Sequence, residues 1–142
     1  MVENNEGVNS VVAAFSTGFV DTLRRVDNER QLIHPVERQA FRNAYDTAYF
    51  DYRKHIVNDY GKSQLNPLRH IGNSDDAGKE ARKQALLIIG ATMVRQNYNA
   101  TRVAEILEDL GFRNGLYELS SYEVVPALSR MSDYLDELLK DK

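Results

Sequence analysis

Ala85-Leu86-Leu87-Ile88-Ile89-Gly90-Ala91-Thr92-Met93-Val94 is the most apolar stretch of this 142-residue chain, and its reading decides the fold. Its unbroken apolar part, Ala85 to Ile89, falls far short of the roughly 18–20 residues that a membrane-crossing helix requires. A segment this dense leaves little polar surface, so a helix here must be surrounded by other elements; Ser74 or Asp75 can cap its start. The expectation is a central helix in a soluble bundle.

Working outward, the flanking segments repeat the helical period. Val103, Ala104, Leu107 and Leu110 share one side of a helix from about Ala100, which Gly111 would close as a left-handed cap with Phe112 folding back onto the core. Leu128, Met131, Leu135 and Leu138 form the stripe of a last helix that begins either after Ser120/Ser121 or at Pro126. The stripe is too short for a coiled coil and points to docking on the chain's own bundle. On the N-terminal side, Pro35 suits a first helical turn, and Phe41, Ala44, Tyr45, Ala48, Tyr49, Tyr52 and Ile56 continue a face that Gly61 would stop. Between residues 61 and 75 no periodicity survives, which marks the longest loop. Val12, Phe15, Phe19, Leu23 and Val26 form the stripe of a first helix capped by Asn9 or Ser10 and ending near Asp27–Asn28. No apolar pattern alternates as a strand would. The fold class expected is all-α, a compact bundle of about five helices with no β-sheet: residues 1–8 as a flexible polar N-terminus and 9–142 as a single helical domain.

Composition narrows the chemistry. Hydrophobic residues at 42% and charged residues at 27% match a globular domain, and the absence of Cys removes disulfides, thiolate catalysis and Cys-ligated metals. The polar, acidic start Met1-Val-Glu-Asn-Asn-Glu-Gly7 lacks the basic and apolar regions of a signal peptide, so a cytoplasmic location with no membrane partner is expected. The net charge of −3 hides an asymmetry: residues 1–52 sum to −3, 53–102 to +5 and 103–142 to −5. Opposite signs can attract within the bundle. Alternatively, Arg53, Lys54, Lys62, Arg69, Lys79, Arg82 and Lys83 can form a basic surface for an acidic partner.

Asp51, His55 and Asp59 stand at i, i+4 spacing, as metal ligands on one helix face would. No Glu-x-x-His or His-Glu-x-x-His completes the set. His34 and His70, in loops, can be combined with Ser63, Asp75 or Asp76 into a nucleophile–base set only on paper, and no glycine-rich phosphate loop occurs. Hence no catalytic, metal or cofactor-binding residue is assigned.

The stretch Asn99 to Tyr117 resembles the helix-turn-helix of Fis-type DNA-binding proteins at Thr101-Arg102, Ala104, Leu110-Gly111 and Leu116-Tyr117. The resemblance implies DNA contacts from Arg113 and Asn114. The spacing from Ala104 to Gly111 makes the first helix too long, and the reading helix would lie in the most acidic third of the chain, where phosphates are repelled. An ordinary pair of core helices is the simpler reading.

Tyrosine is the compositional oddity: the chain has eight Tyr and no Trp. Tyr45, Tyr49, Tyr52 and Tyr60 fall on one helix, with Phe50 offset from that face as the better exposed anchor. Phe50, Tyr49 and Tyr52 are therefore the candidate partner-binding residues. The function expected is a non-enzymatic protein-interaction or regulatory domain whose partner is another protein or itself. The alternatives are a nucleic-acid-associated regulator, using the basic segment 53–102 or a degenerate helix-turn-helix at 99–119, and an enzyme of unfamiliar type.

Overall fold

The computed structural model describes residues 2–28, 34–59, 65–71, 77–114 and 121–140. All of its regular structure is helical: α1 (Val2–Asn28), α2 (Pro35–Thr47), a π-helical turn (Ala48–Tyr52), α3 (Arg53–Asn58), α4 (Leu68–Ile71), α5 (Ala77–Arg95), α6 (Ala100–Asn114) and α7 (Ser121–Leu139). Among the described residues there is no strand, as the sequence periods require. No described helix is long and apolar enough to cross a membrane.

The apolar stretch lies at the centre. Ala85, Leu86, Ile88, Ile89 and Ala91 are fully buried, and α5 touches α1, α2, α4, α6 and α7 as well as the π turn. A helix enclosed on so many sides has no polar face to keep, which is why its apolar residues run almost without interruption. At Gly18 α1 closely approaches α5: a Cβ there would lie 2.6 Å from the Ala81 carbonyl carbon. The last helix starts at Ser121, the earlier of the two expected starts, and buries Leu128, Met131 and Leu135 in the core while Leu138 packs at its margin.

Three boundaries differ from expectation. The first helix begins at Val2, so that Asn9 and Ser10 lie within it. The fourth expected helix does not stop at Gly111 but runs to Asn114. An interior Gly costs about 1 kcal/mol relative to Ala, and the burial of Val103, Ile106, Leu107 and Leu110 anchors the turns before it. Within the expected long loop, Asn66-Pro67 opens a short helix. The Asn66 Oδ1 accepts the Leu68 N–H at 2.8 Å, Pro67 needs no N–H at this first position, and Leu68 and Ile71 are buried. The expected stop at Gly61 and cap at Ser74 or Asp75 lie outside the described residues.

The turn between α5 and α6 is closed by two asparagines. Asn97 adopts φ 71°, with its N–H on the Val94 carbonyl at 2.9 Å and the Tyr98 N–H on the Met93 carbonyl at 3.0 Å, the bond pair of a Schellman motif. Asn99 then caps α6, its Oδ1 accepting the Arg102 N–H at 2.9 Å.

Candidate interaction surface

The second expected helix carries the most distinctive local geometry. Eight residues after Ala48, Ile56 would stand about 80° round a regular helix from it, at about 100° per residue. The extra residue held by the π turn at Ala48–Tyr52 cancels about one such step, and Ile56 returns to the core fully buried. Phe50, within the same turn, has 67% of its surface in solvent.

Phe50 is not an isolated side chain. Its ring meets Tyr49 edge-on, with centroids 5.1 Å apart and planes at 82°. Tyr49 stacks on Tyr45 at 5.7 Å and 14°, and both pack against Phe19, which meets Phe15 in the core at 4.9 Å. An aromatic chain thus runs from the centre of the bundle to the surface. Burial, and next the neighbouring Tyr49, push the Tyr45 hydroxyl above the ordinary tyrosine range. The Arg53 guanidinium lies 5.6 Å from the Tyr49 ring centre, within cation–π range. Tyr52 is half-buried and lines a separate recess with Asp51, His55, Arg95 and Leu139. Of the expected partner-binding residues, Phe50 is exposed, while Tyr49 supports it and Tyr52 faces elsewhere.

Three of the nine basic residues of the segment 53–102 pair with acids on other helices. Arg82 pairs with Asp21 at 3.5 Å, Arg95 with Asp136, and Arg102 with Glu37 through bonds of 2.6 and 2.8 Å. Each of these three pairs joins the +5 segment to one of the acidic segments. The Arg102 fork holds the Glu37 carboxyl below the ordinary glutamate range, and Glu37 raises Arg102 in turn. Lys54 and Arg69 are exposed, Lys79 and Lys83 half-buried, and Lys62 lies outside the described residues. Arg113 and Asn114 end α6, and Leu110-Gly111, where a helix-turn-helix would bend, is continuous helix.

The Asp51, His55 and Asp59 set does not assemble. Asp51 and His55 line one recess, of which Asp59 is not a part. Asp59 is turned to other work: its Oδ2 accepts the Tyr134 hydroxyl at 2.9 Å. The Asn66 amide donates to the Tyr134 oxygen and to the Ile56 carbonyl, each at 3.0 Å. This knot joins α3, α4 and α7, and burial followed by the Asp59 carboxylate drives the Tyr134 hydroxyl far above the ordinary tyrosine range. Sequence reading missed Asn66, although Asn-Pro before Leu68 was a legible helix start. Among the described residues no group of three His, Asp or Glu converges as metal ligands. His34 caps α2, its Nδ1 accepting the Val36 N–H at 3.2 Å. The His70 side chain, Ser63, Asp75 and Asp76 lie outside the described residues.

No protein-family model, no curated protein and no solved structure matches the chain.

Proposed function

We propose that this chain is a non-enzymatic, cytoplasmic protein-interaction domain that docks another polypeptide on the face formed by Phe50, Tyr49 and Arg53. The observation that carries the reading is the 67% exposure of Phe50 on a π turn that fixes its surroundings. Burying a Phe side chain is worth about 1.5–3 kcal/mol, and the bundle forgoes that gain here. The neighbours are aromatic and Arg, the residue types that dominate binding hot spots. Because Phe50 rests edge-on against Tyr49, docking orders little that is not already ordered, which lowers the entropic cost of association. Against the nucleic-acid alternative, the ion pairs of Arg82, Arg95 and Arg102 tie three of the segment's cations to acids of other helices.

The test is photo-crosslinking in cells, with a benzophenone side chain at position 50 and, as the control, at Val36, which is equally exposed at 66% on α2. Discrete adducts are expected from position 50 alone, and Phe50→Ser should keep the wild-type melting temperature. Equal adduct patterns at both positions, or none at position 50, defeat the reading.

A further inference from the structure

We propose that the recess between α1 and the start of α5 binds the phosphate group of a small organic phosphomonoester. The recess has a volume of about 190 Å³ and is lined by Gly18, Val20, Asp21 and Arg24 of α1 and by Gly78 and Arg82 of α5. None of these residues belongs to the Phe50 face.

The charge of the recess is unbalanced. Two guanidiniums, Arg24 and Arg82, line it beside one carboxylate, Asp21, and that carboxylate is already shared. Its Oδ1 accepts from the Arg24 Nη2, while its Oδ2 meets the Arg25 Nε at 3.2 Å and the Arg82 Nη1 at 3.5 Å. One carboxylate cannot neutralise both of the arginines that line the recess, so a positive charge is left facing it.

Arg82 is the most loosely held of them. N–H···O bonds in proteins reach to about 3.2 Å, so its contact with Asp21 is an ion pair without a hydrogen bond. Its Nε is buried and has no hydrogen-bond partner at all. A buried donor without an acceptor is unfavourable, and an acceptor brought by a ligand relieves it. Turning the guanidinium into the recess breaks no bond at Nε and offers an anion the paired donors of a fork.

Phosphate suits this arrangement better than carboxylate. Its three terminal oxygens can take the Arg82 fork and the Arg24 guanidinium together, whereas one fork fills a carboxylate. Gly18 and Gly78 put no side chain into the space, and Val20, 55% exposed, adds an apolar wall for the carbon group of the ester. The volume limits that group to a small one.

Isothermal titration calorimetry of the full chain at low ionic strength tests this with three probes: phenyl phosphate, inorganic phosphate and benzoate. Phenyl phosphate is expected to saturate one site, inorganic phosphate to bind more weakly for want of the Val20 contact, and benzoate more weakly than phenyl phosphate. Added sodium chloride should weaken all three. Arg82→Gln should lower the affinity for phenyl phosphate about tenfold or more, and Arg82→Lys, which keeps the charge but not the fork, should behave like it. Arg24→Gln, at an exposed position where folding is not at stake, should also weaken binding, whereas Arg130→Gln on the exposed side of α7 should leave it unchanged. Thermal melts check that each variant is folded. Three results would overturn the assignment: no saturable heat with phenyl phosphate, benzoate binding as tightly as phenyl phosphate, or equal losses in Arg24→Gln and Arg130→Gln.

Discussion

Replacing Gly18 by Ala tests the packing where α1 crosses α5. By intrinsic propensity alone the change should help, since Ala is favoured over Gly in a helix interior by about 1 kcal/mol. The structure gives the opposite sign. The new methyl carbon would fall 2.6 Å from the Ala81 carbonyl carbon, 2.7 Å from its oxygen and 2.8 Å from its Cβ. Two of those atoms are backbone and cannot rotate aside, so α1 and α5 must separate along a contact that also buries Phe15 and Phe19. Overpacking a core costs about 1–3 kcal/mol and sometimes more; a backbone obstacle belongs at the upper end. The net expectation is a loss of about 2 kcal/mol, which at about 2–4 °C per kcal/mol lowers the melting temperature by about 4–8 °C. Gly90→Ala is the internal control, because there the nearest atom is the Leu107 Cδ1 at 2.7 Å, the end of a flexible side chain; it should change stability by less than about 1 kcal/mol once propensity is counted. Urea unfolding followed by circular dichroism measures both. A Gly18→Ala protein as stable as wild type, or more so, would refute the close crossing.

The remaining expectations concern caps, a buried polar knot and one ion pair. Asn66→Ala removes the α4 cap and strips partners from the Ile56 carbonyl and the Tyr134 hydroxyl, for a loss of about 3 kcal/mol in urea unfolding. Asn66→Asp should not rescue it, because an acceptor would then face the Asp59 carboxylate that Asn66 approaches at 3.5 Å. Asn97→Gly should stabilise by about 0.5 kcal/mol and Asn97→Ala destabilise by about 1 kcal/mol, since only Gly accepts φ 71° without strain. The Glu37 carboxyl is lowered by Arg102, so its contribution is complete above the unfolded glutamate value of about 4.3 and is lost as pH falls through the folded value. With Arg102 37% exposed, that contribution is held to about 1 kcal/mol. The stability gap between wild type and Glu37→Gln should therefore close on acidification from about pH 5, and a constant gap would contradict the pairing. Leu135→Ala, at a fully buried position, should cost about 2–5 kcal/mol.

What the sequence made legible was whatever depends on period. The enclosed α5, the stripe of α7 and the outward position of Phe50 all follow from counting residues around a helix. What it hid depends on contacts between distant segments. Gly18 sits inside an otherwise regular helical stripe, and the reason for a residue that costs about 1 kcal/mol there is Ala81, far away in sequence. Gly111 showed the reverse error: a preference for Gly after helix ends was applied where burial of Leu110 carries the helix onward. Asn66-Pro67 was read as a loop because four helical residues are too few to display periodicity, yet the cap chemistry was present. The edge-on contact of Tyr49 with Phe50 and its stacking on Tyr45 are likewise side-chain geometry that residue counting does not give.

The π turn and the charge pairing together explain why the aromatic face stands out among the chain's surfaces. Charge alone would make the +5 segment the most conspicuous feature of the molecule. With Arg82, Arg95 and Arg102 paired with Asp21, Asp136 and Glu37, three of the segment's nine basic residues join α5 to α1, α5 to α7 and α6 to α2. These pairs cross between helices that the apolar core already brings together, so they specify which faces meet while adding little stability of their own. The aromatic chain has a different logic. A core aromatic needs no route to the surface, and Phe15, Phe19 and Tyr45 would be satisfied by burial alone. The chain continues outward through Tyr49 to Phe50, and the π turn at Ala48–Tyr52 returns Ile56 to the core beyond it. Phe50 is where that aromatic chain meets solvent, which sets this face apart from the rest of the described surface.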